Sequence, residues 1–287
     1  MKKILLCTDG SNYAENSYKY GAWIAKKLDG TINVLSVTDV RSQQAVSTGN
    51  LSGSLGLGAS EDLLNKLVDL EHEKAKINHQ RAKLILNTAK ESLKNEGVTD
   101  VKLSHKTGFL VDLLHEFEEN ADLIILGKRG ENAEFAAKHL GANLERIVRS
   151  SKKPCFVTPR DFQTITKVLV AYDGSPTGDK ILEFLKEGSL VKNVPVNVLM
   201  VEKSGDKNRT PTRLDQAVLD LQGAGIDCEG YFIQGEVEKA ISDHISNHDI
   251  NFLIMGAYGH SRIRSLVIGS TTAQMLRSTR IPVLLFR

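Results

Sequence analysis

No apolar run in this chain of 287 residues approaches the roughly 20 residues that a membrane-spanning helix needs. The N-terminus reaches Asp9 too soon after Lys2 and Lys3 to hold the apolar core of a signal peptide, so Ile4–Thr8 reads as a first strand. Cysteine is scarce. Cys7, Cys155 and Cys228 are widely spaced and odd in number, and two of them lie in apolar strand-like runs. That favours buried thiols over disulfides, in a reducing, cytoplasmic setting. An excess of one charge is missing too: 37 Lys and Arg against 35 Asp and Glu leave a net +2, which is no nucleic-acid signature.

Several catalytic signatures are equally absent. No G-x-x-x-x-G-K-[S/T] loop occurs, and "GSPTGDK" (Gly174–Lys180) has the wrong spacing. "GSLGLG" (Gly53–Gly58) is not G-x-G-x-x-G and follows no strand. No Ser-His-Asp, Cys-His or paired-carboxylate arrangement stands out. What remains is an ordinary globular composition, 41% hydrophobic and 25% charged, with length for about two domains.

The chain repeats itself. "KKILLCTDGS" (Lys2–Ser11) recurs as "TKVLVAYDGS" (Thr166–Ser175), and "INVLSVTD" (Ile32–Asp39) as "VNVLMVEK" (Val196–Lys203). "ADLIILGKRG" (Ala121–Gly130) recurs as "INFLIMGAYG" (Ile250–Gly259), and "IVRSSKKPCFVTP" (Ile147–Pro159) as "MLRSTRIPVLLFR" (Met275–Arg287). Asp9 and Asp173 are 164 residues apart, Gly127 and Gly256 only 129, so the first half carries the difference, 35 extra residues. A period this long means duplicated domains rather than a solenoid. The boundaries read as 1–160 and 161–287, with a linker over Pro159–Thr166.

Short continuous aliphatic runs alternate with helix-length stretches in both halves. Strands are expected at Ile4–Thr8, Ile32–Val37, Val101–Lys106, Leu123–Leu126 and Cys155–Thr158, then at Val168–Tyr172, Val196–Val201, Gly230–Gln234, Phe252–Met255 and Val283–Phe286. Helices are expected over Asn12–Leu28, Leu110–Glu119 and Val237–Asn247. This is the α/β pattern, an open parallel sheet flanked by helices, twice. The extra residues begin with "STGNLSGSLGLGAS" (Ser47–Ser60), a lid or a flexible loop, followed by a charged helix over Glu61–Asn95.

In open α/β sheets ligands bind beyond the carboxyl ends of the strands, where strand order reverses. Asp173, Val201 and the Gly256 loop of the second half fall at such ends. An acid beside a Gly-Ser turn accepts hydrogen bonds from amino or ribose hydroxyl groups. A glycine loop lets ribose and phosphates approach the backbone, and Ser270 and Thr271 add hydroxyls where a helix begins. Each piece alone is an ordinary turn or helix cap. Together at one sheet edge they describe a mononucleotide site.

Gly256-x-x-Gly259-x9-Gly269-Ser270 resembles the G-2x-G-9x-G-[S/T] nucleotide pattern of the universal stress protein family, and the repeated "DGS" and terminal "PVLLF" fit that family as well. The resemblance spans almost the whole chain as two tandem domains. It implies an adenine nucleotide alpha hydrolase-like fold of five parallel strands per domain, in the order 3-2-1-4-5. It implies ATP or AMP, with or without magnesium, in the second half. By that carry-over Asp173 and the Val201 backbone meet the adenine side, Gly256 the ribose, and Gly259, Gly269, Ser270 and Thr271 the phosphates. His260, beside the loop, either touches a phosphate or faces water.

The first half departs from the pattern. Ten residues, Glu131–Leu140, separate Gly130 from Gly141, and Ala142 replaces the hydroxyl residue. Glu131 and Glu134 add charge where phosphate would sit, and two like charges 4 Å apart repel by roughly 4 kcal/mol at an effective dielectric of 20. Lys128 and Arg129 offset that only if they point inward. One site per chain is therefore expected. His244 and His248, i and i+4 on a helix, lack an evident third metal ligand and read as a solvated face. Tyr20 and Trp23 read as core or interface. Single-domain relatives commonly dimerise through the fifth strand, so the resemblance implies that Cys155–Thr158 and Val283–Phe286 pair antiparallel within this chain. A further homodimer through the insertion helix stays open.

These readings leave two functions: a cytoplasmic stress-response module that binds nucleotide and signals to a protein partner, or a slow ATPase or nucleotidyl-transferring enzyme using the same cleft. Arg262 and Arg264 lie in the loop, and Asp173 is the one acid evident near it, which favours binding over turnover.

Overall fold

The computed structural model describes residues 1–39, 57–130, 142–202, 210–257 and 269–287. In the first half β1 (Lys2–Thr8), β2 (Gly30–Asp39), β3 (Val101–Gly108), β4 (Leu123–Gly127) and β5 (Cys155–Thr158) alternate with α1 (Asn12–Leu28), α2 (Leu57–Asn95), α3 (Leu110–Glu118) and α4 (Ala142–Ser150). In the second, β6 (Val168–Ala171), β7 (Val196–Glu202), β8 (Cys228–Gln234), β9 (Phe252–Gly256) and β10 (Val283–Phe286) alternate with α5 (Pro176–Glu187), α6 (Pro211–Gly223), α7 (Val237–Asn247) and α8 (Ser270–Ser278).

Local chemistry explains where the helices begin. Ser175 caps α5 by accepting the Gly178 N–H at 3.2 Å, with Pro176 in the first helical turn. Thr210 and Pro211 repeat the device on α6. A hydroxyl satisfies one of the amides orphaned at a helix start, and proline there loses no bond. The insertion helix starts at Leu57, four residues before the expected Glu61 and inside the Gly-rich run. Leu57, Ala59 and Glu61 outweigh the propensity cost of Gly58. The upstream part of that run, and so its reading as lid or loop, lies outside the described residues.

The ten strands among the described residues form one sheet in the order β3-β2-β1-β4-β5-β10-β9-β6-β7-β8. Each half is parallel and has the order 3-2-1-4-5. The halves join where β5 and β10 run antiparallel, with Val283 opposite Val157, Leu284 opposite Phe156 and Leu285 opposite Cys155. The expected pairing of terminal strands is present, with the pseudo-two-fold axis near the Leu284–Phe156 pair. Neither strand is an edge: β5 also pairs with β4, and β10 with β9.

The strands carry apolar side chains on both faces, so two cores form, one on each side of the sheet, and both run through the seam. Leu6, Phe156, Val170, Phe252 and Leu284 share one face; Leu5, Val157, Leu253, Val283 and Leu285 share the other. Tyr20 and Trp23 are interface residues. Trp23 meets Phe252 of the second half edge-on, with ring centroids 6.2 Å apart, and Tyr20 packs on Phe156 and on Phe162 of the linker. Lys27 Nζ donates to the Lys192 carbonyl at 2.9 Å across the same boundary. Cys155 and Cys228 are buried free thiols and Cys7 is half-buried; burial pushes the Cys7 and Cys155 thiols up to about 12, out of the nucleophilic range. No helix among the described residues is long and apolar enough to cross a membrane.

Candidate functional site

β6 is the strand from which the second half is wound both ways, with β7 and β8 on one side and β9 and β10 on the other. The crevice at its carboxyl end is the switch point where parallel sheets hold ligands. Ala171 pairs with Leu199 of β7 and Met255 of β9. Two residues further along, Asp173, Val201 and Ala257 lie level at the open end of the sheet. Gly256 closes β9, and Gly269 is the N-cap of α8 with exposed Ser270 as its first residue. Of the eight residues singled out from sequence, Asp173, Val201, Gly256, Gly269, Ser270 and Thr271 therefore share this end. Gly259 and His260 lie outside the described residues.

The turn after β6 is built by the acid itself. Asp173 Oδ1 accepts the Ser175 N–H at 3.0 Å, and Gly174 between them has φ +69°, a left-handed conformation open to glycine at little cost. Oδ1 thereby uses one of a carboxylate's roughly four acceptor sites. The first half repeats the turn: Asp9 Oδ1 accepts from Ser11 at 3.0 Å, and Gly10 has φ +74°.

The glycine loop is anchored at both ends. The Ala257 N–H donates to the Phe286 carbonyl at 2.7 Å, and Thr272, buried in the first turn of α8, donates to the Ala257 carbonyl at 2.9 Å. The hydroxyl draws the start of α8 against the exit of β9. Thr271 donates to Glu238 Oε1 of α7 at 2.6 Å. Sequence reasoning found neither Thr272 nor Glu238. Thr272 follows an obvious Ser-Thr pair and reads as ordinary helix; Glu238 lies 33 residues from its partner. The expectation that Asp173 is the one acid near this loop is corrected, because β8 delivers α7, and with it Glu238, to the same end of the sheet.

The first half has different chemistry at matching places. Leu144 stands at the position of Thr272, and Val111 at that of Glu238. A Cβ on Gly130 would lie 2.6 Å from Asp9 Oδ2, so this loop folds directly onto the acid. A Cβ on Gly10 would lie 2.5 Å from Ile85, so α2 covers the turn. Lys128 does not point into a phosphate cradle. Its ammonium donates to the Thr279 carbonyl at 2.6 Å, just past α8, tying the two halves together. Withdrawal from water, then the charge of Arg129, lowers its pKa to about 8. Glu131, Glu134 and Gly141 lie outside the described residues.

His244 and His248 are not a solvated face. His244 is 3% exposed, its Nε2 accepts from Asn197 Nδ2 of β7 at 2.9 Å, and its ring stacks on His248 at 3.9 Å. The helix turns this residue inward because β7 offers a buried amide that needs an acceptor. Among the described residues no group of three or more His, Cys, Asp or Glu is placed to hold a metal. Burial, then the neighbouring His248 and Lys167, lowers the His244 pKa from 6.5 to about 4. The unfolded chain therefore binds the proton first. His244's contribution is complete above about pH 6.5 and is lost as pH falls toward 4, a cost on the order of 2–3 kcal/mol. Urea midpoints at neutral and acid pH should show a shallower loss for His244→Gln than for the native chain; identical slopes would assign the titration to other groups.

A profile of the Universal stress protein family matches residues 1–159 and, separately, residues 164–287. The chain belongs to the universal stress protein family. It is 56% identical over 287 residues to Universal stress protein Slr1230 of Synechocystis sp. PCC 6803, covering 100% of each chain. It shares its fold with the crystal structure of a universal stress protein from Archaeoglobus fulgidus DSM 4304, with a TM-score of 0.70, 22% identity, and coverage of 100% of this chain and 96% of that one. As a tandem universal stress protein it carries both copies of the domain on one sheet, with the two sheet ends chemically distinct.

Proposed function

We propose that this protein is a cytoplasmic stress-response binding module whose second domain, residues 161–287, takes one adenine nucleotide, while the first domain, residues 1–160, takes none. The observation that carries the reading is the difference between equivalent sheet ends. At the second, the sequence keeps the full glycine spacing, and Asp173, Val201 and the start of α8 meet at the open end of the sheet. At the first, Gly130 sits on Asp9, Ile85 covers Gly10, and an alanine replaces Ser270. Asp173 and the Val201 backbone would receive the adenine, Gly256 the ribose, and Gly259, Gly269 and Ser270 the phosphates of ATP or AMP. Thr271 would join them only by releasing Glu238. Occupancy would be read by a protein partner through the loop that Thr272 anchors. Calorimetric titration with ATP should give a stoichiometry near one. Two equal sites would remove the asymmetry, and no binding would remove the nucleotide reading.

Glu238 gives a second reading some support. A carboxylate beside the phosphate end could hold magnesium on a bound nucleotide, as ATP-cleaving enzymes require. Prolonged incubation with ATP and magnesium, followed by nucleotide analysis, separates the two: ADP or AMP that disappears in Glu238→Gln favours slow turnover, and intact ATP favours binding alone.

A further inference from the structure

We infer that α2 pairs antiparallel with α2 of a second copy of this chain. The helix has two faces with different roles. Ala82, Leu86, Ala89 and Leu93 are buried against the first domain, whereas no residue from 65 to 81 is buried. Leu67, Leu70, Ile77 and Leu84 are 45%, 60%, 62% and 68% exposed. With Val68 they make up five of the eight large hydrophobic residues exposed among those described, so this is a concentrated stripe rather than scatter. At about 100° per residue the four lie within an arc of roughly 100°, centred about 125° from the face that grips the domain. The described residues of the first domain leave them exposed.

The spacing names the occupant. Positions 67, 70, 74, 77, 81 and 84 alternate steps of three and four, the seam of a coiled coil, and Lys74 and Arg81 are its polar members. Another helix of the same spacing fills such a seam, and charge fixes its direction. A parallel pair would set Lys74 against the partner's Lys74 and Arg81 against the partner's Arg81. An antiparallel pair centred between residues 75 and 76 sets Leu67 against the partner's Leu84, Lys74 against the partner's Ile77, and Arg81 against the partner's Leu70. Each cation then lies beside an acid, Arg81 near the partner's Glu71 and Lys74 near the partner's Glu73. The overlap of residues 67–84 is about 27 Å long at 1.5 Å per residue. Because each domain holds its helix from Ala82 onward, the antiparallel direction also keeps the two bodies at opposite ends. The seam between domains is not available for this role, since β5 and β10 are each paired on both sides.

Light scattering on the eluting full-length protein at tens of micromolar should give twice the 31.6 kDa chain mass. Leu70→Glu with Ile77→Glu should halve it while the circular dichroism spectrum stays native, both side chains being exposed on the single chain. A monomeric native protein, with the stripe covered by another part of its own chain or by nothing, overturns the inference, as does a double variant that stays dimeric. Under oxidising conditions Leu70→Cys with Arg81→Cys should yield a covalent dimer and Arg81→Cys alone should not. Crosslinking of the single variant would make the pair parallel and overturn the geometry.

Discussion

Replacing Gly259 with valine is expected to abolish ATP binding while leaving the fold intact. The loop leaves β9 at Gly256 and returns at Gly269, and its ends are fixed by the Ala257–Phe286 backbone bond and the Thr272 hydroxyl. A nucleotide held by backbone amides needs the chain to approach within hydrogen-bond distance of phosphate oxygens, and a branched side chain at the glycine occupies that volume. Folding should be unaffected, because β9, β10 and α8 on either side of the loop carry buried cores of their own. Ser270→Ala is the calibrating variant. It removes a single exposed hydroxyl, a loss on the order of 1–2 kcal/mol if that group bonds a charged oxygen, or roughly a tenfold weaker affinity. Titration calorimetry beside a thermal melt should show no heat for Gly259→Val and a weakened isotherm for Ser270→Ala. Native affinity in Gly259→Val would reduce the loop to a turn and leave the crevice to some other ligand.

Periodicity and repetition made most of the fold legible. Cys155–Thr158, Val283–Phe286, Asn12–Leu28 and Val237–Asn247 form the elements expected of them, because each is set by a local pattern of aliphatic runs or amphipathic turns with its own stops. The residues at the sheet end were legible as well, since every parallel strand in a half carries its C-terminal neighbours to the same end of the sheet. Contacts made across the sheet were not legible. Glu238 touches Thr271 only because β8 and α8 are brought to one side of the crevice. Whether Lys128 points inward to offset Glu131 and Glu134 has no local signal; its ammonium goes to the Thr279 carbonyl of the second half. His244 shows the converse: without a third metal ligand it reads as surface, and the buried amide of Asn197, 47 residues away, turns it into the core. Each of these depends on a partner that no local pattern names.

Leu285→Pro is expected to lower stability by at least about 3 kcal/mol, and its effect should reach both domains. Were β10 an edge strand, proline would cost one hydrogen bond on an open side and merely loosen the contact between halves. It lies instead inside a ten-stranded sheet, hydrogen-bonded to β9 on one side and β5 on the other. Amide groups along an interior strand alternate between its two neighbours, so a lost donor at any position breaks a ladder. Leu285 is also 2% exposed and packs in a core shared by both domains. A loss of this size is a large fraction of the 5–15 kcal/mol that holds an ordinary domain. Urea denaturation should show an earlier midpoint by fluorescence of Trp23, whose ring rests on the second domain's Phe252, as well as by circular dichroism. Leu285→Cys provides the opposite control. The observed register sets residue 285 directly across from Cys155, and directly opposed residues of antiparallel strands lie about 4.5–5.5 Å apart at Cα, within disulfide range. Oxidation during refolding should therefore link Cys155 to the new thiol within one chain, removing two hydrogens by mass and raising the urea midpoint. A proline variant as stable as the native chain, or a cysteine variant that never closes, would mean that β5 and β10 do not pair in this register.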